Sequence, residues 1–274
     1  MKGLARRVII FGLDGAGSMV SQTNTPNMDR VLADGFVSYS AQTVMPTISG
    51  ECWGSMFHSV VPEKHGLTNE RAEKDKYPLD SPYPSFMRVV KEHDPSCKIG
   101  SFCSWLPIND GIIEEGIATH RNTLSGDSYL VGDVKEFVSS NPDFAILYMH
   151  FDDIDGAGHR YGYSTAPYLE VITKTDEQIG EIIDHLKREQ LYEDSFIIFL
   201  TDHGGGGAVP TSHGSDHPLD MTIFWGCSGP GVSSSAQVDS TINIQDTAPV
   251  VLHALGIAAP ETWTGKIPVG LFQD

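Results

Sequence analysis

Apolar positions along this chain fall into short continuous runs separated by longer stretches with a helical repeat. Residues 7–11, 98–103, 144–149, 196–201 and 222–225 read as buried strands. The longest helical pattern covers about residues 165–190 and places Leu169, Ile172, Ile179, Ile182, Ile183 and Leu186 on one side. Further helices are predicted over residues 81–93 and 127–139, and over 246–255 with Gly256 as the stop. Thr25 and Pro26 open another that Gly35 closes, and one more starts at Ser49 and runs to about Ser59. Strands alternating with helices predict an α/β fold, a three-layer α/β/α sandwich around a mostly parallel sheet covered on both faces. No repeat or Pro/Gly/Ser linker divides the chain, so residues 1–274 are expected to form one domain. Residues 70–84 and 106–125 lack periodicity, which makes 70–125 a candidate cap or lid within it.

Charge narrows the functional classes. With 36 acidic against 18 basic residues the net charge is −18, so binding to nucleic acid polymers or anionic lipid surfaces is not expected. No apolar stretch is long enough to span a membrane, and the run after the basic start, residues 8–11, is too short for a secretory signal. Cys52, Cys97, Cys103 and Cys227 form no CxxC pair, which suits a reduced, cytoplasmic setting. The surplus of carboxylates and the 11 His permit a site for divalent cations without locating one.

In open α/β sheets ligands bind beyond the carboxyl ends of the strands. Three predicted strands end in acids: the first delivers Asp14, the third Asp152, Asp153 and Asp155, and the fourth Asp202-His203-Gly204. A single such Asp is as readily a turn or capping residue. Asp-His also recurs at Asp184-His185 and Asp216-His217, so Asp202-His203 is distinguished by its strand end and by the four glycines after it, which allow close approach of backbone and ligand. Asp155 and His159 share one face if their segment is helical and could then share a cation. Gly12, Gly15 and Gly17 suggest a dinucleotide loop, but the spacing is wrong and Asp14 would repel a pyrophosphate. Ser49, at a predicted helix start, is either an N-cap or a nucleophile beside amides that favour a phosphoryl group.

In order and spacing these segments resemble the alkaline phosphatase superfamily, most closely its type I phosphodiesterase/nucleotide pyrophosphatase branch. The resemblance rests on Asp14, Pro46-Thr47-Ile48-Ser49, Pro62-Glu63-Lys64-His65-Gly66, Asp155 to His159, Asp202-His203-Gly204, His213-Gly214 and the closing segment from Asp246 to Gly256. It implies an alkaline-phosphatase-like fold with two divalent metal ions, zinc or alternatively manganese. One would be held by Asp155, His159 and His213, the other by Asp14, Asp202 and His203, with Ser49 between them as both metal contact and nucleophile. The activity implied is hydrolysis of a phosphodiester or pyrophosphate bond in a small molecule, such as a nucleotide, through a phosphoseryl intermediate. A phosphomonoesterase or phosphonate hydrolase with the same site is the alternative, and a non-catalytic metal- or nucleotide-binding module is a third reading.

Several positions depart from the family pattern. Thr is common at the nucleophile position, and Thr47 lies two residues before Ser49, although ungapped register to Gly66 favours Ser49. Glu51-Cys52 stands where many relatives have Pro-Asn. His213 is preferred over His217 as a ligand because a Gly follows it. Ser49-Gly-Glu-Cys-Trp lacks the Pro and Arg of a sulfatase segment, and the interval from Ser49 to Asp155 is short for the inserted domain of a phosphomutase.

Overall fold

The computed structural model describes residues 3–124, 126–233, 236–238 and 240–273; Ser125, where the second aperiodic segment ends, and the outermost residues Met1, Lys2 and Asp274 lie outside it. Strand β1 is Arg7–Leu13, β2 Phe36–Gln42, β3 Ile99–Cys103, β4 His120–Thr123, β5 Ile146–Phe151, β6 Ser195–Thr201 and β7 Thr222–Ser228. They form one seven-stranded sheet in the order β2-β7-β6-β1-β5-β3-β4. Pairings β1/β5, β1/β6, β3/β5 and β3/β4 are parallel, and β7 runs antiparallel to both β6 and β2. The strands predicted from apolar runs are β1, β3, β5, β6 and β7.

Two strands escaped the apolar pattern, and both are edge strands. β2 carries Ser38, Tyr39 and Ser40 on an open edge with a register shift between Ser38 and Ala41, and only Ala41 is buried. β4, His-Arg-Asn-Thr, buries none of its residues. A strand paired on one side needs little apolar surface, so composition does not announce it.

Helices cover both faces. Named in chain order, they are α1 Pro26–Leu32, α2 Ser49–His58, α3 Pro62–His65, α4 Asn69–Lys74, α5 Phe86–His93, α6 Asp127–Ser140, α7 Asp153–Tyr161, α8 Ala166–Arg188, α9 Pro218–Met221 and α10 Thr247–Ala254. The period-2 alternation of the strands decides which helices each face meets. Val8, Ile10, Ile146, Tyr148, Phe196, Ile198 and Leu200 pack with Trp53, Phe57, Phe86 and Val251 from α2, α5 and α10. Ile9, Phe11, Leu147, Met149, Ile197 and Phe199 pack with Met28, Val31, Leu130, Val134, Ile172 and Ile183 from α1, α6 and α8. This is the expected three-layer α/β/α architecture.

Helix boundaries follow local chemistry. α5 begins at Phe86 rather than near residue 81 because Pro82 and Pro84 lie in the way, and Ser85 caps it by accepting the Arg88 amide. The Glu114 carboxylate then accepts both the amide and the hydroxyl of Ser85. Residues 70–125 contribute most of α4, all of α5, the π-helical turn Ile108–Ile112 and the two sheet strands β3 and β4. No helix among the described residues is long and apolar enough to cross a membrane. The four cysteines are free and buried.

Candidate active site

The carboxyl ends of β6, β1 and β5 lie side by side at the middle of the sheet, and each passes directly into site residues. Asp14 follows β1 and is 1% exposed, and Asp202 and His203 follow β6 and are fully buried. β5 leads into α7, which carries Asp155 and His159 four residues apart; the helical reading of this segment holds, and His159 Nε2 lies 3.1 Å from Asp155 Oδ2. Asp127 fixes the start of α7 by accepting the amides of Asp152 and Asp153, and Ser104 in turn donates to Asp127. His213 comes from the loop between β6 and α9.

Two groups of ligand atoms result, each with all members within 4.8 Å of one another: Asp14, Asp202 and His203 in one, Asp155, His159 and His213 in the other. The groups adjoin, because the rings of His203 and His213 stack with centroids 3.9 Å apart. A third grouping, Asp14, His150 and Asp152, shares Asp14.

The histidines share one pattern. His203 Nδ1 faces Gly204 O at 2.8 Å, His159 Nδ1 faces Thr211 O at 2.9 Å, and His213 Nδ1 faces Thr47 O at 2.6 Å. A carbonyl oxygen only accepts, so each Nδ1 carries a proton and each Nε2 is left as the atom turned inward. His203 Nε2 then lies 3.2 Å from Ser49 Oγ, 3.4 Å from Asp14 Oδ1 and 3.3 Å from Asp202 Oδ2, while His159 and His213 bring their Nε2 atoms within 3.2 Å of each other. Two inward-facing imidazole nitrogens this close call for a cation or a proton between them.

Electrostatics lead to the same requirement. Asp202 Oδ2 is buried and has no hydrogen-bond partner among the described residues. No Lys or Arg among them forms an ion pair with Asp14, Asp155 or Asp202. Burial, followed by the charges of Asp202 and Asp155, pushes the Asp14 carboxyl well above its usual range, and burial does the same to Asp202. Burial would also raise Asp155, but the hydrogen bond with His159 and the charges of His203 and His213 outweigh it and hold that carboxyl low. Burial and then the neighbouring Asp14 raise Asp152 to about 7. Three carboxylates and three imidazoles gathered without a fixed basic partner are a donor set that divalent cations fit.

Ser49 is the first residue of α2; the N-cap position belongs to Ile48, so the hydroxyl is not spent on capping. Its Oγ lies 3.2 Å from His203 Nε2 and 3.5 Å from Asp14 Oδ1, and Asn69 Oδ1 accepts the adjacent Gly50 amide. Thr47 is engaged elsewhere, donating to Ser215 O and accepting the Gly214 amide, which ties the His213 loop to the segment before α2. His217 caps α9 by accepting the Leu219 amide and belongs to neither group. Cys52 is buried, with its sulfur directed at the carbonyls of Val44 and Pro46. His65 of the Pro-Glu-x-His-Gly segment supports α2 from behind through Ser55 Oγ at 3.0 Å. Asp184-His185 lies in α8, away from the strand ends.

A family model described as type I phosphodiesterase/nucleotide pyrophosphatase matches residues 107–223. The matched segment carries Asp155, His159, Asp202, His203 and His213. Human ectonucleotide pyrophosphatase/phosphodiesterase family member 7 is 19% identical over 226 residues, covering 74% of this chain and 48% of the relative. Human bis(5'-adenosyl)-triphosphatase is 27% identical over 100 residues, covering 36% of this chain and 22% of that protein. The chain thus spans about half the length, or less, of these curated relatives. Among solved structures, murine ectonucleotide pyrophosphatase/phosphodiesterase 5 superposes with a TM-score of 0.77 at 13% identity, over 95% of this chain and 97% of that one. A 2-O GAG sulfatase also gives 0.77, at 15% identity over 97% and 73%. These structural likenesses establish the shared fold.

The structure adds residues that the motifs did not single out. Trp53 Nε1 donates to Asp14 Oδ2 at 2.9 Å, and His150 Nε2 lies 2.8 Å from the same oxygen. The Tyr163 hydroxyl donates to Asp155 Oδ1. Asp220 accepts the amides of Gly207 and Ser215 and the Ser215 hydroxyl, bracing the His213 loop. The glycines after His203 also have a different use from the one their spacing suggests. A Cβ at Gly204 would meet Leu219 O at 2.0 Å, at Gly205 the Tyr163 ring at 2.6 Å and at Gly207 the His217 side chain at 2.5 Å, so the chain itself takes up that room.

Proposed function

We propose that this chain is a two-metal-dependent hydrolase of phosphodiester or pyrophosphate bonds in small molecules, nucleotides among them, acting through a phosphoseryl intermediate on Ser49. The observation that carries the reading is the Ser49 hydroxyl, at the head of α2, 3.2 Å from His203 Nε2 and 3.5 Å from Asp14 Oδ1. Asp14, Asp202 and His203, with Ser49 Oγ beside them, would hold one cation, and Asp155, His159 and His213 the other. Carboxylate and imidazole donors suit zinc, with manganese as the alternative. Bound there, such cations would favour the alkoxide form of Ser49 and offset the charge on the phosphoryl oxygens.

The residues present define the rest of the chemistry. Ser49 Oγ attacks phosphorus in line with the leaving oxygen, forming the Ser49 O–P bond as the bond to the leaving alcohol or phosphate breaks. The positive end of the α2 dipole favours the anionic phosphoryl group at that position, although the Gly50 amide itself is taken by Asn69. Water then attacks the phosphoserine and returns the Ser49 hydroxyl. The Nδ1–H bonds to backbone carbonyls keep the three imidazoles in one tautomer throughout.

The relatives support the substrate class: the curated matches are named as nucleotide pyrophosphatase/phosphodiesterase and bis(5'-adenosyl)-triphosphatase, and one similar solved structure holds AMP. A net charge of −18 argues against polymeric nucleic acid as substrate. Four free, buried cysteines support a reducing, cytoplasmic setting. We take residues 1–274 to work as one unit, in which 70–125 supplies β3 and β4 to the same sheet.

The test is turnover of a p-nitrophenyl phosphodiester by purified protein with zinc or manganese, compared with the matching monoester. Diester turnover that Ser49→Ala removes while bound metal persists is the expected result. A preference for the monoester would move the assignment to a phosphomonoesterase, and no turnover of any phosphoester would end the proposal.

A further inference from the structure

The three site carboxylates are built on one plan. Each surrenders one oxygen to the protein and turns the other toward the cluster. Asp202 gives Oδ1 to the amides of Gly15 and His203, at 3.0 and 2.8 Å, and leaves Oδ2 without a hydrogen bond among the described residues. Asp14 gives Oδ2 to Trp53 and His150 and keeps Oδ1 facing Ser49 and His203. Asp155 gives Oδ1 to Tyr163, with that oxygen 3.9 Å from His213 Nε2, and keeps Oδ2 closer in, 3.1 Å from His159 Nε2. For Asp202 the restraint is backbone, whereas for Asp14 and Asp155 it includes a buried aromatic donor.

The surrounding fold makes room for both aromatic donors. Trp53 is fully buried and stands four residues after Ser49 on α2, on the same helical face. Its ring lies against Gly12 of β1, where a Cβ would come within 2.6 Å of the indole. Tyr163 is 5% exposed, and a Cβ at Gly158 or Gly205 would come within 2.4 or 2.6 Å of its ring. Gly158 belongs to the Asp-x-x-Gly-His segment and Gly205 follows Asp202-His203-Gly204, so two motif segments close on one side chain. The Tyr163 amide also donates to Pro210 O, in the loop that carries His213.

We propose that Trp53 and Tyr163 are positioning residues that restrict Asp14 and Asp155 to binding a cation through a single oxygen, Oδ1 and Oδ2 respectively. The inference rests on the two-metal reading above. A carboxylate free to rotate can occupy two coordination positions, whereas one held at its far oxygen occupies one and leaves the other to the phosphoryl group or Ser49. The indole has a second effect, joining the helix that carries the nucleophile to the acid beside it.

Tyr163→Phe removes one oxygen and keeps the ring between the two glycines. Metal-stripped protein is titrated with zinc against a chromophoric chelator, its thermal unfolding is measured without metal, and the cobalt-loaded form is read in the visible. Wild type should take up two ions. Tyr163→Phe should bind one of them roughly 10- to 100-fold more weakly and leave the other unchanged. Cobalt absorption should fall, as it does when a carboxylate closes on the ion and raises its coordination number, while the metal-free unfolding midpoint stays close to wild type. Trp53→Phe should weaken the other ion in the same way; where the smaller ring prevents folding, Tyr163→Phe decides alone. Unchanged affinity and spectrum in Tyr163→Phe overturn the proposal, as does equal weakening of both ions together with lost metal-free stability. Wild-type protein that binds no divalent cation would instead remove the two-metal reading on which it rests.

Discussion

The two halves of the candidate site are anchored in different ways. Asp14, Asp202 and His203 follow central strands, lie at 0–1% exposure and are held by backbone amides and a buried indole. Asp155, His159 and His213 sit on a short helix and a loop; the His159 side chain is 47% exposed, and Thr47 and Asp220 hold the loop in place. A site fixed by the sheet can shift only if the core shifts, whereas one fixed by a loop can yield locally. The first half should therefore set where the nucleophile stands, and the second should be the one whose occupancy responds to metal concentration.

Ser49→Ala should have the largest effect on turnover, a loss of about a thousandfold or more, because no other described hydroxyl stands at both Asp14 and His203. Metal content should remain near wild type. Retained turnover would separate the strand-anchored half from the chemistry.

The next largest contrast compares a ligand from each half. Asp202→Asn removes a charge whose free oxygen is buried and unpartnered, and added zinc should not restore its activity. His159→Ala opens a position already near solvent, and activity lost at low zinc should return as zinc is raised. Titrating activity against free zinc for both variants checks this; rescue of Asp202→Asn but not His159→Ala would reverse the assignment of rigid and yielding halves.

The difference between the halves also explains what could be read from residues alone. Asp14 and Asp202-His203 stood out because each ends an apolar run, and Asp155/His159 because their spacing closes on a helix. His213 has no such local mark and came from the resemblance, since a loop residue has no periodicity. Trp53, His150 and Tyr163 were hidden for another reason. Trp53 is an apolar residue in a helix that is buried along its whole length, and Tyr163 follows a helix like any packing aromatic. His150 falls on the α2 side of β5 through strand parity, in register with Gly12, a placement that only the pairing of β1 with β5 reveals. The supporting shell depends on side-chain contacts that the motifs do not spell out, the most distant in sequence being that between Asp14 and His150.

Thr47→Val tests how far the loop half depends on its tie to the segment before α2. The substitution keeps the shape of a fully buried side chain but removes the hydroxyl that receives the Gly214 amide and donates to Ser215 O. A stability loss of ~1–3 kcal/mol is expected, since both backbone groups lose a buried partner. Zinc affinity should fall by up to about 10-fold for one ion only, in keeping with an outer-shell change. Equal weakening of both ions would mean that the halves move together.

A further contrast concerns the support behind the strand-anchored half. His65 accepts the Leu67 amide at Nδ1 and donates from Nε2 to Ser55 of α2, an arrangement that only the neutral ring can make. Burial, followed by the charge of His58, lowers its pKa from 6.5 to about 3. The unfolded chain therefore binds a proton between those values that the folded chain refuses. The contribution of neutral His65 is fully present above about pH 6.5 and is lost as pH falls toward 3. Metal-free wild type should lose up to ~1.4 kcal/mol of stability per pH unit from this group across that window. His65→Gln, less stable at neutral pH, should show a shallower slope by that amount in urea unfolding between pH 6.5 and 4.5. Parallel slopes would mean that α2 is held against the sheet without help from this histidine, leaving Trp53 as the contact that registers the nucleophile on Asp14.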